Sequence, residues 1–193
     1  MAVAVVAVDD SDDVGPLSPS SALPYTALAL AAAKARPSTP EEVPHKECDG
    51  DILYRGKGPF SNSVSKSFPD HNIAAMTLQI PRFRIIRTRN GAVHAEFLVV
   101  VSINSRSAFT FGLWRRHRDF HQLAAKVKAL DAEPSSFKNA LLSWQCLVHR
   151  KRWFRCLDKD YLALKTFLLE RFMHDLLFES SGPAAVMEFL DLA

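Results

Sequence analysis

Two short runs hold most of the side chains able to do chemistry. The first is Trp114-Arg115-Arg116-His117-Arg118, and the second is His149-Arg150-Lys151-Arg152-Trp153-Phe154-Arg155. Arginine suits phosphate because its planar fork bonds two oxygens at once. A helix start adds unpaired N–H groups and a partial positive charge. The first run, set where a strand gives way to a helix, has the makings of a phosphate cradle. The same residues on a solvated loop are surface charge only, and the run alone does not choose between the two.

Other chemistries fail on spacing. Cys146, His149 and Cys156 lack a nearby fourth ligand, so they read as free thiols beside a histidine rather than a zinc site. His117 and His121 are spaced i, i+4, but no glutamate stands at the catalytic position between them. The sequence carries no P-loop, dinucleotide-binding, zincin or nucleophile-elbow signature. The expectation is a protein that is not an enzyme, with no cofactor and no metal.

The elements that must position the first run are legible from periodicity. Thr77 to Thr88 alternates in the manner of a strand, with the Ile85-Ile86 doublet marking a bulge. Pro81 removes a ladder donor, which predicts an edge strand. Asn90-Gly91 is a two-residue hairpin turn, and both residues tolerate positive φ. Val93 to Ile103 and Ala108 to Trp114 make two more strands. The tight connections predict an antiparallel meander. The period then changes. Phe120, Leu123, Ala124, Val127 and Leu130 recur at helical spacing, and Pro134 stops that helix. Phe137 to Val148 reads as a short helix, Tyr161 to Leu176 as a long one, and Ala184 to Leu192 as a terminal one. The class is α+β, a three-stranded meander followed by a helical subdomain.

Composition divides the chain. Its 193 residues carry a net charge of +3, which conceals an acidic first part and a basic remainder. Residues 1–72 hold eight of the eleven prolines and few aromatics. Such a segment buries too little apolar surface to offset ordering. It is expected to be a disordered acidic tail, Asp51 to Phe68 included as a loop. Tyr25 to Ala35 is expected to be transiently helical. Residues 73–193 are expected to form the domain, whose basic balance suggests an anionic partner. No apolar run approaches the ~18–20 residues that span a bilayer. Met1 to Val8 lacks a basic flank and does not read as a secretory signal. Three cysteines form no disulfide framework, which points to a reducing, cytoplasmic setting.

Residues 114–123, Trp-Arg-Arg-His-Arg-Asp-Phe-His-Gln-Leu, resemble the signature of phox-homology (PX) domains, Arg-Arg-aromatic-x-x-Phe-x-x-Leu. The order of elements is also similar, from about Met76 to Leu192. The resemblance implies a phosphoinositide-binding module, usually reading phosphatidylinositol 3-phosphate on endosomal membranes. It places the 3-phosphate on Arg116 and the inositol ring against His117, where the family usually has Tyr or Phe. The family's Pro-rich loop with a basic residue for the 1-phosphate has no Pro-x-x-Pro counterpart, and Arg150 or Lys151 stands nearest. The arginine the family directs at the ring hydroxyls aligns with Asp160, with Arg155 and Lys159 close by. Apolar residues beside the pocket enter the bilayer in this family, which implies membrane contact for Phe137 and Trp144, while Leu141 and Leu142 read as core. The implied location is the cytoplasm, peripheral on endosomal membranes. The alternative is a PX-like protein-interaction scaffold with weak or no lipid binding, and the tail is a candidate site for a protein partner. Nucleic acid is not expected, because the strands lack the paired aromatics of an RNA-recognition sheet.

Overall fold

The sixteen residues of Ile73–Thr88 form the strand around which everything else is arranged. The structure, a computed structural model, describes residues 50–59, 64–105, 108–130, 136–150 and 157–192. Strands are β1 (Gly50–Lys57), β2 (Val64–Phe68), β3 (Ile73–Thr88), β4 (Val93–Asn104) and β5 (Ala108–Arg116). Helices are α1 (His117–Leu130), α2 (Lys138–His149), α3 (Lys159–Glu179) and α4 (Ala184–Phe189). All strand pairs are antiparallel, in the order β1-β3-β4-β5, with β2 also on β3. The class is therefore α+β, with an antiparallel sheet and helices packed on it.

The sheet is larger than the predicted meander. β1 pairs with Arg82 to Thr88 and β2 with Ile73 to Leu78, so the two share one edge of β3. Residues 51–57 and 64–68, expected to be loop, are sheet, so the sheet includes strands that precede Ile73. Their sequences hid this for physical reasons. Most of β1 is exposed, so it lacks an apolar period. In β2 the core-side positions are Val64, Lys66 and Phe68. The Lys66 ammonium donates to the Phe178 and Ser180 carbonyls at 2.7 and 2.5 Å, satisfying the end of α3. A lysine at that position breaks the pattern a reader looks for. The expected helix at residues 25–35 and the rest of 1–49 lie outside the described residues.

β3 is central, not an edge, and it tolerates Pro81 through a bulge. Gln79 pairs with Val100 and Arg82 with Leu98, so two residues of β3 face one of β4. The extra residue switches which positions face the helices. Met76, Leu78 and Ile80 are buried before it, Phe83 and Ile85 after it. Pro81 sits where a ladder donor is not required, and its carbonyl accepts from the Gly58 N–H at 2.8 Å. The bulge expected at Ile85-Ile86 lies instead on the neighbouring strand. β4 pairs continuously past that doublet, while Leu53 is the extra residue of β1 between Ile52 and Tyr54.

That second bulge turns Tyr54 inward, 5.9 Å from the Phe83 ring centroid. Gly56 then lies flat over the same ring, where an added Cβ would fall 2.2 Å from Phe83 Cζ. We expect Gly56→Val to lower stability by about 1–3 kcal/mol through overpacking, measured as a fall in urea midpoint. An unchanged midpoint would mean that β1 is not held against the core.

The helices cover one face of the sheet. Phe83, Phe97, Phe120 and Phe172 are fully buried between the layers, with Phe97 edge-on to Phe120 at 6.3 Å. α3 starts at an Asp158 cap whose carboxylate accepts from the Tyr161 N–H at 2.9 Å. It presents a polar row to the break in β3. The buried Glu170 carboxylate accepts from the Ile80 N–H at 2.6 Å, and the His174 Nε2–H donates to the Leu78 carbonyl at 2.8 Å. α2 has no capping side chain of its own at Phe137. Glu179 of α3 supplies the cap, accepting from the Asn139 and Ala140 N–H groups at 2.8 and 2.9 Å.

Candidate functional site

Arg115 and Arg116 end β5 and go to opposite sides, as strand alternation requires. The Arg115 guanidinium donates twice to the Phe189 carbonyl, at 2.9 and 2.5 Å, and pairs with Asp191 at 2.9 Å. It closes the C-terminal end of α4 and is thereby consumed by the fold. Arg116 pairs across the strand with Glu96 and is half-buried. Its backbone N–H donates to Asp119 at 2.7 Å, half of a capping box at the start of α1. Its guanidinium makes no ion pair or hydrogen bond among the described residues.

His117 opens α1 and stacks on Trp144 of α2, with ring centroids 5.8 Å apart and planes 21° from parallel. His121, one turn later, meets the same indole edge-on at 5.8 Å. Trp144 in turn packs on Phe172 at 5.3 Å. The indole that was expected at a membrane is thus wedged between two helices and the core. Phe137 also packs against the core, at the N-cap of α2. Of the leucine pair read as core, Leu141 packs there, but Leu142 is 54% exposed.

Beside the His117–Trp144 stack lies a cleft of about 70 Å³ between the first turns of α1, the last turn of α2 and the first turns of α3. His117, His121, Leu147, Val148, Tyr161 and Lys165 line it. Arg150 is the C-cap of α2, exposed and two residues beyond Val148 in sequence. Lys151 and Arg155 lie outside the described residues, as do Cys48 and Cys156. Lys159 is drawn away, its ammonium 4.2 Å from the Tyr54 ring centroid. Asp160 sits in the first turn of α3, where its charge complements the helix dipole.

Lys165 is the cationic residue that sequence reasoning missed. Tyr161 and Lys165 are i, i+4 on one face of α3, and the ammonium lies 5.7 Å from the Tyr161 ring centroid. The spacing was visible, but nothing in it showed that this face looks into a cleft.

A larger cavity of about 340 Å³ lies on the other side of α1, against α4. Its charged groups are spent on one another: Arg115 pairs with Asp191, and Lys126 with Glu188. It therefore offers less to an anion than the smaller cleft. Among the described residues no three His, Cys, Asp or Glu side chains converge as metal ligands, and Cys146 is an exposed thiol. No helix in the described residues is long and apolar enough to cross a membrane. The chain matches no family model, no curated protein and no solved structure.

Proposed function

We propose that this chain is a phosphoinositide-binding module of PX type, most readily for phosphatidylinositol 3-phosphate, which brings it to endosomal-type membranes. The observation that carries this reading is the division of labour between the two arginines. Arg115 is bound up in the helix end, while the Arg116 guanidinium makes no ion pair or hydrogen bond among the described residues and directly precedes His117, which lines the cleft. Arg116 would hold a monoester phosphate, His117 would face the inositol ring, and Lys165 and Arg150 would supply further positive charge. Lys151 and Arg155 remain candidates for the same role. Val148 and Leu164 are exposed apolar residues on the elements that form the cleft, and they are better placed than Phe137 or Trp144 to touch acyl chains.

A second reading, a protein-interaction scaffold, is favoured by one observation. The cleft holds about 70 Å³, well below the ~300–1,000 Å³ usual for small-molecule pockets. Sedimentation with liposomes that differ only in their phosphoinositide separates the two. The lipid reading expects binding that depends on the position of the phosphate. Binding that follows total anionic charge alone, or no binding, would favour the scaffold.

A further inference from the structure

The face of the sheet turned away from the helices carries an unusual concentration of positive charge. Two neighbouring rungs cross β1, β3, β4 and β5 there. One runs Arg55–Arg84–Glu96–Arg116, and the other Lys57–Arg82–Leu98–Trp114. Five cations thus share this patch with one carboxylate. That carboxylate is already committed. Glu96 accepts from Arg84 at 2.7 and 2.8 Å and meets His94 at 3.2 Å. Arg84 also lies over the Trp114 ring at 4.2 Å, which holds it flat on the sheet. Arg55 and Lys57 are exposed, and Arg55, Lys57 and Arg116 make no ion pair among the described residues.

Arg84 is buried and satisfied by Glu96, so the charge left to attract an anion is that of Arg55, Lys57 and Arg116. The sequence supplies one suited to the task. Asp9-Asp10-Ser11-Asp12-Asp13 places four carboxylates in five residues, a density found nowhere else in the chain. Residues 1–49 as a whole carry eight acidic and three basic side chains, and they lead directly into β1, the strand that bears Arg55 and Lys57. The 36 residues between Asp13 and Gly50 have a contour length of about 120 Å, much more than the ~14 Å from β1 to β5 across the sheet. Covalent connection makes the encounter intramolecular, so even a weak ionic contact competes well with free anions.

We propose that the outer face of the sheet is a docking surface for the acidic segment Asp9–Asp13 of the same chain. The contact does not depend on the lipid reading. It does engage Arg116, so any phosphate that bonds this arginine must first displace the segment.

Zero-length carbodiimide crosslinking of the full chain tests this, because it joins only carboxylates and amines already in contact. At low salt the Asp9–Asp13 segment should couple to Lys57 in preference to Lys128 and Lys138, which are exposed on the helical side. The yield should fall at least threefold in about 0.5 M salt, where screening is short-ranged. It should fall similarly in Arg55→Glu, which leaves both coupled groups in place and whose fold circular dichroism can verify. Coupling to Lys128 or Lys138 as often as to Lys57, or an undiminished yield in Arg55→Glu, would overturn the proposal. Coupling between isotopically distinct chains would make the occupant a second copy instead. An uncoupled Lys57 that phosphatidylserine vesicles or RNA shield from acetylation would assign the face to that partner.

Discussion

Replacing Arg116 by alanine is expected to cost at least tenfold in affinity for phosphoinositide-containing liposomes, with the protein still folded. Replacing Arg115 should do the reverse. The reasoning rests on what each guanidinium touches. Arg116 uses its backbone N–H to start α1, and alanine keeps that N–H. Its side chain makes no ion pair or hydrogen bond among the described residues, so truncation leaves no group there without its partner. If a phosphate binds, deleting one side of a desolvated charge pair costs about 2–5 kcal/mol, which covers the tenfold loss. Lysine should restore only part of it, since an ammonium cannot bond two oxygens as a fork does. Arg115→Ala, by contrast, leaves the Phe189 carbonyl and Asp191 without their donor. Loss of hydrogen bonds to a charged group costs about 1.5–3 kcal/mol, and part of that should appear in the thermal midpoint. Liposome sedimentation at fixed salt, with circular dichroism on each variant, reads both. Equal and small losses of binding would indicate diffuse attraction to the basic surface rather than a site at Arg116.

The largest effect on stability is expected at Glu170. Its carboxylate is 3% exposed and accepts from the Ile80 N–H, which the β3 bulge has released from the β4 ladder. Leucine at this position fills much of the space but offers no acceptor. The buried N–H then loses its bond at a cost of about 1–3 kcal/mol, and alanine adds a cavity to that cost. Glutamine keeps an oxygen where the N–H needs one. The expected order of stability is wild type, then Gln, then Leu, then Ala. The midpoint of the Leu variant should fall by roughly 5–10 °C for a domain of this size. A Leu variant as stable as wild type would show that the bulge is held by apolar packing and not by this bond.

The parts legible in the sequence were those governed by local period. β4, β5 and the four helices follow from alternation and i, i+3/i+4 spacing, and the opposite directions of Arg115 and Arg116 follow from the pleat. The parts that were not legible depend on partners distant in sequence. Pro81 looked like an edge residue because the rule considers one strand alone, whereas the bulge that accommodates it is completed by a helix. Lys66 fell within a stretch read as loop, because its carbonyl partners lie on α3 and just beyond it. Trp144 looked like a membrane residue because neither His117 nor Phe172 is near it in sequence. Lys165 was hidden in a helix whose pattern already made sense as core. The candidate site is thus half legible: its β5–α1 junction shows in the sequence, and its α2 and α3 walls do not.

The bond between Ile80 and Glu170 joins residues 90 positions apart, and that separation has a meaning for synthesis. Ribosomes add about 5–20 residues per second, so Ile80 is made roughly 5–18 s before its acceptor. During that interval β3, β4 and β5 have all been made, and the sheet can pair while its central bulge is still open to water. The nascent sheet is therefore complete in register and incomplete in solvation until α3 emerges. A growing chain stalled before Glu170 would present that open seam to the cell's chaperones.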